Sequence, residues 1–464
     1  MTQIGQIIGL FFLFAAFTGL TQAAETIDLS PQMAEDVVRV AIDLSAGGHA
    51  LVQGRDADQT DSQERQLPMS VAARIEYLER RLALPATANS QGTILAARYY
   101  DRAEATLKVD DSGRKPRLSD ERRFIVLEST NERPILYCPD GPLTREQLDL
   151  IDIVGNSYFL EHLLPSQPVA LGESWTLEAS AIGPLLTIDR VAVCEVQSVL
   201  EEYNKSFAKI RLAGTVHGMT DGAATEQEVR GVYLFNRKLG RVVQLNLAVR
   251  EKRSIGSATP GLDAVAKLQM TIEPAEAPQQ LGDEAITQLR RAQRSAKRDL
   301  TYEAESLGFR FHHDRQWFVT GEQRKSITLR RVEGGDLVAQ CTLTTLPPKS
   351  AGRQTSLEQF EKDVIFALGK NFGELVSNRR WQNAAGHYCY AVVARGLIDE
   401  VPVEWHYYLV APESGHRVSA VVTIEKPMVE RLGDADLQIV ESLQLFPPIP
   451  AAETAGPSSP KTQR

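Results

Sequence analysis

Few side chains in this sequence stand at spacings suited to chemistry, and each has a competing structural use. Glu404 and His406 lie two apart in an alternating run from Val403 to Val410, so they share one face of a strand. A carboxylate beside an imidazole is the smallest arrangement that can move a proton. With a hairpin tip at Ile398-Asp399, His406 is expected opposite Ala391 and Tyr408 near Cys389. Tyr388, Tyr390, Val392, Val403, Trp405, Tyr407 and Leu409 mark the other face as the main core. Glu404 and His406 are therefore expected on the less buried side, as a small polar site.

The remaining patterns point away from catalysis. Ser206 and Lys209 spell SxxK, but their surroundings alternate as a strand and turn them to opposite faces. Gly172-Glu173-Ser174 lacks the closing glycine and following helix of a nucleophile elbow. Gly369-Lys370-Asn371 lacks both the upstream glycine and the hydroxyl of a phosphate loop. His312 and His313 are adjacent in a strand and face opposite ways, which separates them as metal ligands. Arg290, Arg291, Arg294, Lys297 and Arg298 follow Asp283 and Glu284, the order that a helix macrodipole favours. The four cysteines, Cys138, Cys194, Cys341 and Cys389, form no CxxC pair. In an exported protein an even count suggests bridges. Cys138–Cys194 and Cys341–Cys389 are the economical pairing, with four buried thiols as the alternative.

The whole chain sets the frame for these residues. Its 464 residues suit two or three domains. With 51 basic against 60 acidic side chains, the net charge of −9 disfavours a nucleic-acid binder. A 43% hydrophobic and 24% charged composition is that of an ordinary globular protein. Residues 1–24 hold no charged side chain. An apolar stretch from Ile7 to Leu20 is followed by small residues at Ala23 and Ala24. This reads as a secretory signal, too short to span a bilayer, with an uncleaved anchor as the alternative. No other apolar run approaches spanning length, so no transmembrane segment is expected after cleavage. The expected location is exported, periplasmic or extracellular.

The fold class expected is α+β, in two units. Residues 25–280 should form an antiparallel β-rich domain with helices. Gly54 to Ser70 reads as an exposed loop, and Ser70 as the cap of a helix through Leu82, with Ile75, Leu78 and Leu82 at helical spacing. Arg102 to Val109, Phe124 to Leu127 and Ile135 to Tyr137 read as strands. Thr144 and Gln147 form a capping box, which starts a helix running past Ile151. Four β-rich runs follow, Val191–Val199, Phe207–Val216, Glu228–Phe235 and Arg241–Lys252, then a strand through Leu268, Met270 and Ile272. Residues 281–300 read as a charged helical linker.

Residues 301–447 read as a second unit ordered β-β-β-α-β-β-β-α. Its main helix opens at Ser356, with Leu357, Phe360, Val364, Leu368 and Phe372 in one stripe, and its closing helix spans Asp434 to Leu443. The proline-rich residues 448–464 should be a disordered tail. Phe309-Arg310-Phe311 followed by Trp317-Phe318-Val319 resembles the opening of the PsbP-like and DcrB-like superfamily. That resemblance implies an α/β/α sandwich with a central antiparallel sheet, a non-enzymatic accessory or binding role, and no catalytic motif to transfer. Leu171 to Trp175 resembles the entry of β-rich domains in uncharacterised exported bacterial proteins, which implies no activity.

The functional expectation is an exported, non-catalytic binding or structural accessory protein whose partner is a protein or an apolar ligand. No catalytic residue, cofactor or metal site is assigned. Two alternatives stand beside it. One is a carrier holding an apolar ligand or lipid on the N-terminal sheet. The other is an exported hydrolase whose residues converge only in three dimensions.

Overall fold

The computed structural model describes residues 25–32, 36–54, 63–82, 92–130, 133–292, 298–350 and 355–448. The signal segment and the Pro/Ser tail fall outside these residues, apart from Pro448. The architecture is α+β and mostly antiparallel. In the first unit, long strands pair in the order Ser174–Thr176, Arg190–Tyr203, Phe207–Thr220, Ala223–Asn236, Arg241–Arg253, Gly261–Ala275, Val37–Gly54, Gln63–Arg81, Ile94–Val109, Phe124–Glu128 and Ile135–Tyr137. Alternation builds this sheet. Val38, Val40 and Ile42 turn inward, while Arg39 on the outer face pairs with Asp101 at 2.6 Å. Asp221 and Gly222, both at positive φ, make the tight turn between Phe207–Thr220 and Ala223–Asn236.

The inner face is filled by the chain itself. The helix Arg145–Ile151, capped reciprocally by Thr144 and Gln147, lies there with the 3-10 segment Ser157–Leu163 and the helix Ala179–Leu185. Leu148, Leu160, Leu163, Ile182 and Leu185 join Val196, Ile210, Leu245 and Met270 in one core. The helix stops at Ile151 instead of running on. Between it and the sheet remains a void of about 10 Å³ beside Ile42, Ile75 and Tyr77, room for about one water. Beside that helix the inner face is filled by the protein's own side chains, whereas farther along the same strands a groove of about 780 Å³ stays open, lined by Leu44, Ala73 and Ala105 among charged residues such as Arg74 and Glu104.

Two local expectations are corrected here. Gln63–Arg81 is a strand, paired along its whole length with Val37–Gly54. Thus Gln63 to Ser70 is not loop, and Ser70 caps no helix. Both faces of the strand are covered near Leu78, which explains the false helical spacing. Ile75 and Tyr77 enter the inner core, while Leu78 and Leu82 pack outward beneath the helix Asp283–Ala292. That helix lays Ile286 and Leu289 on the sheet's outer surface, and its Asp283 meets Arg80 at 2.6 Å. Of the helix expected through Leu300, Asp283–Ala292 is helical, residues 293–297 lie outside the described residues, and Leu300 instead opens the strand Leu300–Ala304.

Leu300–Ala304 pairs antiparallel with Phe309–His313 and parallel with Leu143–Thr144, so one small sheet joins the two halves of the chain. Gly308 turns between the first two of these strands at φ +72°, and a Cβ there would stand 2.4 Å from the Phe446 carbonyl oxygen. The main sheet of the second unit runs Trp317–Glu322, Ser326–Glu333, Asp336–Leu346, Arg417–Glu425, Val401–Ala411, Tyr388–Ile398 and Phe372–Gln382. The helix Leu357–Leu368 covers one face through Phe360, Val364 and Leu368. The helix Ala435–Ser442 covers the other through Ile439 and Val440. Among the described residues no helix is long and apolar enough to cross a membrane.

All four cysteines are thiols in the structure. The Cys341–Cys389 pairing is excluded by topology. Their strands, Asp336–Leu346 and Tyr388–Ile398, are separated by two others, or about 14 Å at the usual strand spacing, where a bridge needs Cα atoms within about 7 Å. Cys138 is buried in the first core, and the half-buried Cys194 directs its Sγ to the Leu177 carbonyl oxygen at 3.6 Å. No Cys138–Cys194 bridge joins them.

Candidate functional site

The hairpin Tyr388–Ile398/Val401–Ala411 turns at Asp399-Glu400, both at positive φ. The tip is one residue later than the spacing implied, which shifts each pairing by two. His406 stands opposite Val393, and Tyr408 opposite Ala391. Glu404, His406, Tyr408 and Val410 alternate onto the face beneath the helix Ala435–Ser442. This is not the less buried face: Glu404 is 5% exposed, and it shares the face with buried Tyr408 and Val410. Two helices cover the sheet, so both faces are core.

Asp436 enters from the first turn of that helix. His406 Nδ1 donates to Asp436 Oδ2 at 2.6 Å, and Nε2 to Glu404 Oε1 at 3.0 Å. Tyr408 Oη donates to the same Asp436 oxygen at 2.7 Å. Arg395, the cross-strand partner of Glu404, donates Nε to Glu404 Oε2 at 2.7 Å. The result is a continuous polar chain from half-exposed Arg395 inward to Tyr408.

The electrostatics follow from alternating charge. Burial opposes ionisation of His406, but hydrogen bonding and charge from Asp436, then Glu404, outweigh it and hold the imidazole above its usual range. Burial likewise opposes ionisation of Asp436 and Glu404, and His406 is foremost in holding both carboxyls low, helped at Glu404 by Arg395. Both ring nitrogens face carboxylate oxygens, which can only accept, so the geometry favours the protonated ring donating through both. In that form it has no free lone pair to take a proton from a substrate.

Outside this chain a groove of about 330 Å³ opens beside Glu404 and Arg395, lined also by Gly373, Leu397, Pro402, Val403 and Lys426. It joins an apolar wall to a charged floor, as binding sites do.

The structure disperses the other candidates. Ser206 sits in a turn with its backbone N–H on Asn204, while Lys209 pairs with Glu202 at 3.1 Å and Glu201 at 3.3 Å. Glu173 accepts from the Ala170 N–H, closing the turn before Ser174. His313 is buried, with its Nδ1 2.7 Å from the Asp314 carbonyl oxygen, and burial pushes it down to about 4. Among the described residues no three His, Cys, Asp or Glu side chains converge as metal ligands.

A second buried network lies in the first unit and is structural. Arg98 donates to Glu79 at 2.8 Å, Ser157 to Glu79 at 2.7 Å, and Arg81 pairs with Glu161. It fixes the segment Ser157–Leu163 to the sheet.

Sequence spacing identified Glu404 and His406 and set Tyr408 beside them, but missed Asp436 and Arg395. Tyr408 was legible as the next residue on the same face, and Arg395 as the cross-strand partner once the turn is placed. Asp436 had no such signal, because helix packing alone brings it there.

No protein-family model matches this chain, and no curated protein matches it. About a third of this chain is similar to nearly the whole of several solved structures. Cyanobacterial PsbP (CyanoP) from Synechocystis sp. PCC 6803 is 14% identical, with 32% of this chain and 92% of that chain covered and a TM-score of 0.25. The Ran-binding protein Mog1p of Saccharomyces cerevisiae is 7% identical, with 32% and 96% covered and a TM-score of 0.26. A Pseudomonas aeruginosa protein of unknown function is 10% identical, with 32% and 98% covered and a TM-score of 0.24. These are likenesses of a third of the chain. Its own sheets define it as an α+β protein in which a helix-filled antiparallel sheet is joined to a helix-covered one.

Proposed function

We propose that this protein is an exported accessory protein that acts by binding, with the groove beside Glu404 and Arg395 as its site. The observation that carries this reading is the pair of hydrogen bonds from His406 to Asp436 and Glu404. They commit the one histidine near the groove to holding two carboxylates, so the site offers shape and charge without a free base. No hydroxyl or thiol nucleophile takes part in the chain, since Tyr408 spends its proton on Asp436. A broad hydrolase substrate screen on the mature chain, repeated with His406→Ala, tests this. No turnover in the parent is expected. Turnover that vanishes in the variant would place a catalytic site here and overturn the reading.

Export is the second part of the proposal. The apolar stretch Ile7 to Leu20 and the small residues at Ala23 and Ala24 support a mature chain beginning near Glu25. N-terminal sequencing of the exported protein should begin there. An intact Met1 on membrane-bound protein would show an anchor instead.

A further inference from the structure

We propose that the strand Phe372–Gln382 takes an extended segment of a partner protein along its open edge. The segment is apolar where it meets the groove and acidic where it passes Arg379 and Arg380. This rests on the binding reading above and names the chemistry of what is bound.

The strand is the last of its sheet and pairs only with Tyr388–Ile398. In an antiparallel edge strand, alternate backbone N–H and C=O groups point away from the sheet and can take another chain. Register breaks at Phe372/Glu374 and Leu375/Ser377 interrupt the first half, while Ser377 to Gln382 pairs regularly. The regular half is the template. The irregular half presents side chains.

Apart from the exposed Glu374, which also lines the groove, those side chains are mostly apolar. Of the thirteen large hydrophobic residues exposed among the described residues, seven fall between Ile365 and Val401. Phe366, the extreme case, is 90% exposed. Leu375 and Val376 on the strand are exposed as well, and Leu397 at the adjacent hairpin lines the groove with Gly373 and Pro402. Clustered exposed apolar residues mark interaction sites.

The regular half is basic. Arg379 pairs with Ala391 and Arg380 with Tyr390, so the two arginines stand on opposite faces and would flank an added strand. Arg379 lies over Trp381 at 4.3 Å. Neither arginine makes an ion pair among the described residues. An added strand with carboxylates at successive positions would meet both. The acidic Asp399 and Glu400 at the hairpin tip oppose approach of this end to an anionic lipid surface, which favours a protein segment.

The test uses the full mature chain and two pools of extended peptides. One pool has an apolar run followed by aspartate and glutamate, and its counterpart carries lysine in place of the acids. Anionic phospholipid vesicles serve as a third probe. The acidic pool should bind about tenfold tighter than the basic one, the scale of one lost charge contact. Arg379→Glu with Arg380→Glu should reverse that preference, and Leu397→Asp should weaken both pools, with melting temperatures unchanged. Equal binding of the pools, no binding, or a preference for the vesicles would overturn the proposal. Binding that neither variant alters would place the site elsewhere and leave the binding reading standing. That reading fails separately, through turnover that depends on His406.

Discussion

His406 Nδ1 lies 2.6 Å from Asp436 Oδ2, joining a central strand of the second sheet to the helix above it by a charged hydrogen bond. Its consequence for pH has a definite sign. The imidazole is raised above its usual value, despite burial, by Asp436 and Glu404. Its contribution to stability is therefore complete below the unfolded imidazole value of about 6.5 and lost as pH rises through the higher folded value. Asp436 and Glu404 are lowered against burial, chiefly by His406. Their contributions are complete above the unfolded carboxyl range and lost as pH falls through the folded values. Melting curves across pH should show greatest stability in mildly acid solution, and His406→Gln should flatten the alkaline limb. An unchanged alkaline limb would mean His406 is neutral in the fold.

Removing one member of the chain should cost more than removing a surface pair. Asp436 is 3% exposed, and without His406 its charge is left uncompensated. His406→Ala should destabilise by about 3–5 kcal/mol in denaturant unfolding, the scale for breaking a buried pair. A loss below about 1 kcal/mol, the scale of an exposed pair, would show that water reaches Asp436.

Glu79 and Arg98 offer a cycle in the first unit. Arg98 donates Nε to Glu79 at 2.8 Å, and both are buried. Glu79→Gln and Arg98→Met should each cost about 3–5 kcal/mol, and the double variant less than their sum, because it leaves no charge unpaired. Strict additivity in urea unfolding would contradict the pairing.

The thiols should be slow to react. Burial pushes Cys389 up to about 12 and Cys341 higher still, and the nucleophile in thiol chemistry is the thiolate. Cys194, the least buried of the four, should be alkylated first. Peptide mapping of native protein should find four free thiols, with Cys341 and Cys389 labelled only on unfolding. A mapped Cys341–Cys389 bridge would contradict the strand order.

Gly308 ties the small joining sheet to the end of the described chain. Its N–H donates to the Ala304 carbonyl, and its own carbonyl accepts from the Phe446 N–H. Gly308→Ala combines a positive φ with a backbone clash, so a cost above about 1 kcal/mol is expected. A neutral effect by thermal melting would show that the Phe446 segment yields freely.

Legibility in the sequence tracked how one-sided the burial is. Val243 to Val249 alternates in sequence, and its strand was found where it lies. The same signal in Val38, Val40 and Ile42 was present and passed over. Leu78 misled because it is buried on the opposite face from Tyr77, so apolar residues appeared at helical spacing. Phe372–Gln382 was missed because Phe372 continues the helical spacing from Leu357, although the helix ends at Leu368, and two register breaks leave the strand without alternation. Glu404 and His406 were found because strand period fixes their shared face. Asp436 was not, because thirty residues and a helix-on-sheet contact separate it from His406.

The central claim is that the histidine beside the groove is a locked cation and not a base. Nitrogen-15 NMR of the His406 ring in the intact chain tests it. Both ring nitrogens should be protonated at neutral pH, and titration should fall above the ordinary imidazole value. A ring protonated on one nitrogen only, with a bare Nε2 at neutral pH, would contradict the claim and restore His406 as a candidate general base.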